Sequence, residues 1–169
     1  VSDIANAVIQ GADCIMMSEE TATGSYPIEA IQTMKRTIMA TQEHVETQPL
    51  AKPEGISGTA AVISKAATRI ARELDAEAIV AETKSGATAA YIAANRPVRP
   101  IISVTSSRRV AQQLCLFYAN KSFYREDGNN AGYELAIELA DQGMLERGST
   151  VVLVSGKQPG VRGGTDTIR

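Results

Sequence analysis

From residue 59 onward the chain alternates short apolar runs with helix-length stretches, and few architectures accept that alternation. Residues 78–81, 101–104 and 151–154 are β-branched or small and apolar, and 122–124 form a weaker run of the same kind. Between them lie helical patterns. Ile63, Ala66, Ala67, Ile70 and Leu74 share one face, and residues 86–95 form an alanine-rich helix ended by Arg96-Pro97. A helix capped by Ser106 or Ser107 runs to about Tyr118, and one capped by Asn129 or Asn130 turns Leu135, Ala136, Leu139 and Ala140 inward. Strands and helices in this rhythm predict right-handed βαβ units and a parallel sheet covered on both faces. The expected class is α/β, a three-layer α/β/α arrangement with a mostly parallel sheet of about five strands. Residues 165–169 would supply the last strand, expected to be antiparallel because little chain is left for a crossover helix.

Sheets of this kind bind ligands beyond the carboxyl ends of the strands, where strand order reverses. Three such ends carry suitable chemistry: Thr83-Lys84-Ser85, Thr105-Ser106-Ser107 and Ser155-Gly156-Lys157. The first opens onto a helix N-terminus, whose backbone N–H groups lack partners and carry partial positive charge. Lys84 adds a full charge, Thr83, Ser85 and Thr88 add hydroxyls, and Gly86 permits close backbone approach. Such a turn suits an anion, above all a phosphate. It is not a Walker loop, because no glycine-rich run precedes Lys84. If the first and fourth strands are neighbours, the loop 156–164, with Lys157, Arg162, Gly163 and Gly164, converges on the same crevice. The plainer alternatives are a capped strand-to-helix turn and a glycine-rich hairpin tip.

The beginning of the chain follows another pattern. Residues 2–9 read as a helix capped by Ser2 or Asp3 and stopped by Gly11. Residues 14–17 read as a short buried strand leading into the polar cluster Ser18-Glu19-Glu20-Thr21, of the kind found at the carboxyl end of a barrel strand. Pro27 suits the first position of the next helix, striped by Ile28, Ile31, Met34 and Ile38. A helix–strand–helix piece cannot close a sheet, so residues 1–45 are expected to be part of something larger. Residues 46–58, with Pro49, Pro53, Gly55 and Gly58, read as a linker, and residues 59–169 as the α/β domain.

Composition excludes several functions. The formal net charge of -2 and scattered basic residues argue against nucleic acid. No apolar run reaches transmembrane length. Cys14 and Cys115 are expected to be reduced and buried, as in a cytoplasmic protein. With one histidine and no cysteine pair at ligand spacing, no metal site is expected.

The run Ser2-Asp3-Ile4-Ala5-Asn6-Ala7-Val8 to Gly11-Ala12-Asp13-Cys14-Ile15-Met16-Met17-Ser18, with Glu20-Thr21-Ala22, Gly24 and Tyr26-Pro27, resembles the end of the catalytic barrel of pyruvate kinases. Thr83-Lys84-Ser85-Gly86 with its alanine-rich helix, and the ending from Val154-Ser155-Gly156 to Thr165-Asp166-Thr167-Ile168-Arg169, resemble that family's C-terminal regulatory domain. The resemblance implies phosphoryl transfer from phosphoenolpyruvate to ADP in glycolysis, with magnesium and potassium in the parent enzyme and none held by this stretch. Ser18 and Glu20 align with a Ser-Gly-Glu-Thr motif beside the active site, with Glu19 where the family carries glycine. The catalytic lysine, metal-binding acids and substrate arginine of the family match no position here, so this stretch alone is expected to be inactive. Thr83, Lys84, Ser85, Gly86 and Thr88 would hold an effector phosphate, with Lys157, Arg162, Gly163 and Gly164 closing over it. The chain has no tryptophan, which favours a sugar monophosphate or AMP over a bisphosphate. The family also implies assembly into a tetramer. A standalone phosphate-sensing or assembly module is the alternative.

Overall fold

In the computed structural model residues 1–45, 58–156 and 164–169 are described. They fall in two compact units, Val1–Pro49 and Leu50–Arg169. The expected linker, except Gly58, and the expected site residues Lys157, Arg162 and Gly163 lie outside the described residues.

The first unit is helical: α1 (Ser2–Ile9), α2 (Glu19–Ala22) and α3 (Pro27–His44), with α1 and α2 packed on α3. Pro27 occupies the first turn of α3, where its missing N–H costs nothing. Residues 14–17 form no strand, which corrects the expectation. A strand needs a neighbour for its backbone groups, and this unit offers no other extended segment among its described residues. Cys14 is exposed, as is Cys115 just beyond the end of a helix in the second unit, so neither is buried, contrary to expectation. No residue of α3 is buried, and Ile28 and Ile31 of its apolar stripe stand exposed.

The second unit runs α4 (Thr59–Glu73), β1 (Ala78–Glu82), α5 (Ala87–Ala94), β2 (Ile101–Thr105), α6 (Arg108–Leu114), β3 (Asn120–Tyr124), α7 (Ala131–Asp141), β4 (Val151–Gly156) and β5 (Thr165–Ile168). The sheet order is β3-β2-β1-β4-β5. The pairs β3–β2, β2–β1 and β1–β4 are parallel, and β4–β5 is antiparallel. This is the expected α/β class.

The layering follows from the handedness of the crossovers. The chain steps from β1 to β2 to β3 in one direction, so α5 and α6 fall on one face. It then returns past β1 to β4, which puts α7 on the other. Ile79, Ala81, Ile101, Val152 and Val154 pack with Ala67 and Ala71 of α4, Ala89, Ile92 and Ala93 of α5 and Leu114 of α6. On the opposite face Ala78, Val80, Ile102, Val104 and Leu153 meet Leu135, Ala136 and Leu139 of α7. The strands at the centre are buried along nearly their whole length because helices cover both faces. Burying a side chain such as Ile79 or Ile92 stabilises the fold by roughly 1.5–3 kcal/mol. The reversal of strand order lies between β1 and β4, with Ala81 beside Val154 near their carboxyl ends.

Candidate functional site: the carboxyl ends of β1 and β4

Beyond β1 the backbone closes a tight turn before α5. The Gly86 N–H donates to Thr83 Oγ1 at 3.0 Å, and Gly86 adopts φ 88° as the N-cap of α5. Glycine takes that left-handed conformation at little cost. A Cβ there would also crowd Val110 and Leu114, each at 3.3 Å. No side chain caps α5, so its first amides remain directed at the crevice.

Lys84 reaches sideways across the strand ends. Its Nζ donates to Ser106 Oγ at 2.6 Å, just past β2, and pairs with the Asp127 carboxylate from the loop that follows β3. The Lys84 ammonium, and secondarily the Ser106 hydroxyl, hold the Asp127 carboxyl below its ordinary range. Ser107, not Ser106, caps α6, its Oγ accepting from Val110 N at 3.3 Å. Ser106 is thereby left to Lys84.

Thr88 sits in the first turn of α5 and is buried. Its Oγ1 lies 2.6 Å from Thr165 Oγ1, also buried, at the start of β5. Gly164 stands immediately before that strand, and its carbonyl lies so close to Gly156 that a Cβ on Gly156 would collide with it. Thus Thr83, Lys84, Ser85, Gly86 and Thr88 lie together on the β1–α5 turn, with Gly164 on the segment across from it. Within this group Thr83 and Thr88 already hold intramolecular hydrogen bonds.

The other side of the crevice was not anticipated from the sequence. Glu82 Oε1 accepts from the Gly132 N–H at 2.8 Å, so a β1 carboxylate caps the N-terminus of α7. A Cβ on Gly132 would come within 2.7 Å of Leu153 Cδ1 and 2.9 Å of Glu82 Oε1, so only glycine lets α7 approach. Arg125 pairs with Glu134 at 3.8 Å and with Glu138, tying the loop before α7 to the helix itself. Arg169 donates to Asn130 Oδ1 at 3.0 Å. The only sequence signal for Asp127 was its place in an acidic pair, Glu126-Asp127, shortly after a strand, and it does not point to Lys84.

In the first unit Ser18 is the N-cap of α2, and its N–H donates to Glu20 Oε2 at 3.3 Å. Gly24 closes behind them, where a Cβ would strike the Glu20 carbonyl. Both polar side chains are exposed. Among the described residues no group of three His, Cys, Asp or Glu side chains could hold a metal ion, so those residues do not fit magnesium. Likewise no described helix is long and apolar enough to cross a membrane.

Comparison with known proteins gives a consistent picture. Residues 61–169 match the family model described as the pyruvate kinase alpha/beta domain, and residues 1–31 the one described as the pyruvate kinase barrel domain. A pyruvate kinase of Agrobacterium vitis is 34% identical over 176 residues, covering 99% of this chain and 36% of the relative. Pyruvate kinase 2 of Synechocystis is 36% identical, covering 100% of this chain and 29% of the relative. A pyruvate kinase of Mycobacterium tuberculosis is 37% identical, covering 99% and 36%. The crystal structure of a pyruvate kinase from Cryptosporidium parvum superposes with a TM-score of 0.81 at 27% identity, covering 92% of this chain and 33% of that one. The chain thus spans about a third of the length of these relatives.

Proposed function

The chain belongs to the pyruvate kinase family, and from that premise we propose that it acts as the family's C-terminal regulatory part, binding a phosphorylated effector at the β1–α5 turn. In this reading residues 1–45 are the end of the catalytic barrel, 46–58 the linker and 59–169 the effector domain. The parent activity is phosphoryl transfer from phosphoenolpyruvate to ADP, served by magnesium and potassium held elsewhere, in a cytoplasmic tetramer. This stretch alone is inactive.

One observation carries the effector reading. At the carboxyl end of β1, on the side facing β2, the Lys84 ammonium already gathers an oxyanion, the Asp127 carboxylate, together with the Ser106 hydroxyl. A cation and a hydroxyl that hold one oxyanion beside an uncapped helix N-terminus suit the phosphate of a small metabolite. Ser85 and the first amides of α5 would complete the cradle. Thr83 and Thr88 would shape it, since their hydroxyls are committed to Gly86 and Thr165. Lys157, Arg162, Gly163 and Gly164 would approach from the far loop. Such a cradle suits a single phosphate group on a hexose, a pentose or adenosine.

The test is a thermal-shift series on the full chain with glucose 6-phosphate, ribose 5-phosphate, AMP and inorganic phosphate. A ligand selective for the native state raises the midpoint with concentration. The reading expects at least one organic phosphate to do so more strongly than inorganic phosphate, and a flat response to all four would refute it.

A further inference from the structure

Asp127 is absent from every motif that singles out the β1–α5 turn, yet it forms the ion pair with Lys84 there. It is carried by the loop 125–130, which leaves β3 at the sheet edge and crosses the carboxyl ends of β2 and β1. The Arg125 N–H donates to the Thr105 carbonyl at 3.0 Å, over β2. Asp127 then meets Lys84, over β1. The segment beyond enters α7, held by Glu82 at the Gly132 N–H and by Arg169 at Asn130. The loop is therefore fixed at both ends by contacts independent of Asp127, and its middle is fixed by the Lys84 pair. At Gly128 beside it an added Cβ would meet nothing within 4 Å.

We infer that Asp127 is an internal counter-anion that occupies the effector-phosphate position on Lys84 and Ser106 and must be displaced when the effector binds. This rests on the effector reading above and adds its regulation. A carboxylate and a phosphate oxygen compete for the same ammonium, and side by side they repel. Binding therefore exchanges one ion pair for another and frees the middle of loop 125–130 from the end of β1. The exchange sets a threshold: the effector binds only by exceeding the affinity of the resident carboxylate. The loop leads directly into α7, which covers the opposite face of the sheet from α5.

The Asp127→Asn variant removes the charge while keeping the shape at a half-exposed position, so folding is retained. Isothermal titration of the full chain with glucose 6-phosphate, ribose 5-phosphate and AMP compares wild type, Asp127→Asn and Lys84→Ala. Asp127→Asn is expected to bind roughly two- to fivefold tighter than wild type, the range for releasing a partly exposed ion pair. Lys84→Ala is expected to bind more weakly than both. Amide hydrogen exchange at residues 125–130 is expected to quicken on ligand binding in wild type and to be already fast in Asp127→Asn. Equal or weaker binding by Asp127→Asn, with Lys84→Ala still impaired, overturns the counter-anion and leaves the effector site standing. Binding unaffected by Lys84→Ala, or no binding by any form, overturns both.

Discussion

The Thr88 hydroxyl lies 2.6 Å from the Thr165 hydroxyl with both side chains buried, so the first turn of α5 is joined directly to the sheet's antiparallel edge strand. Thr88, expected to touch a phosphate, also helps hold β5 in place. Removing one hydroxyl leaves the other buried and unpaired, whereas removing both leaves two apolar side chains of matching shape. Thr88→Val is expected to lower unfolding stability by about 1–3 kcal/mol, and the Thr88→Val/Thr165→Val double variant to recover most of it. Urea unfolding of the three forms measures this. A double variant as damaged as the sum of the singles would mean the hydroxyls are not partnered with each other.

Gly132 lets α7 lie against Leu153 while its N–H meets Glu82. Gly132→Ala is expected to cost about 1–3 kcal/mol through overpacking. The loss should be read as a lowered denaturation midpoint, with hydrogen exchange quickened first in the opening turn of α7.

Two other glycines give opposite outcomes for one substitution. At Gly156 an added Cβ meets the backbone of Gly164, and no side chain can yield there. At Gly128 it meets nothing within 4 Å, and the backbone has no positive φ. Gly156→Ala is expected to destabilise by roughly 1–3 kcal/mol, and Gly128→Ala to be neutral or to stabilise by up to about 1 kcal/mol. Parallel thermal melts separate the two.

The Asp127 carboxyl is held below its ordinary value of 3.8 by the Lys84 ammonium and the Ser106 hydroxyl. A carboxyl depressed in the folded state contributes stability fully above its unfolded value, and loses it as pH falls through the lower folded value. The pair is therefore constant across neutral pH and dissolves only on acidification below about 3.8. Carboxyl-carbon NMR titration should place the Asp127 midpoint under that value in wild type. In Lys84→Ala it should move upward toward it.

Much of this architecture was legible in the residues. The largely apolar runs of β1, β2 and β4 announced strands buried on both faces, and the short span before Thr165 announced an antiparallel last strand. The adjacency of β1 and β4 was posed as a condition, and the strand order meets it. The misreadings have physical causes. Residues 14–17 carry strand composition, but composition cannot supply the neighbour that a strand must pair with. Cys115 was read as buried from apolar neighbours, but α6 ends at Leu114, and the side chain falls on the exposed side of that terminus. Asp127, Glu82 and Gly132 were not legible because their roles depend on contacts between segments 43 to 50 residues apart. Local pattern carries no record of such contacts.

The central claim is that Lys84, at the end of β1, holds the phosphate of a small effector. Calorimetric titration of wild type and Lys84→Ala with whichever organic phosphate most stabilises the chain tests it directly. Loss of a charge-assisted hydrogen bond to phosphate predicts at least about tenfold weaker binding in Lys84→Ala, with the unfolding midpoint of the unliganded protein little changed. Equal affinity in the two forms would contradict the account.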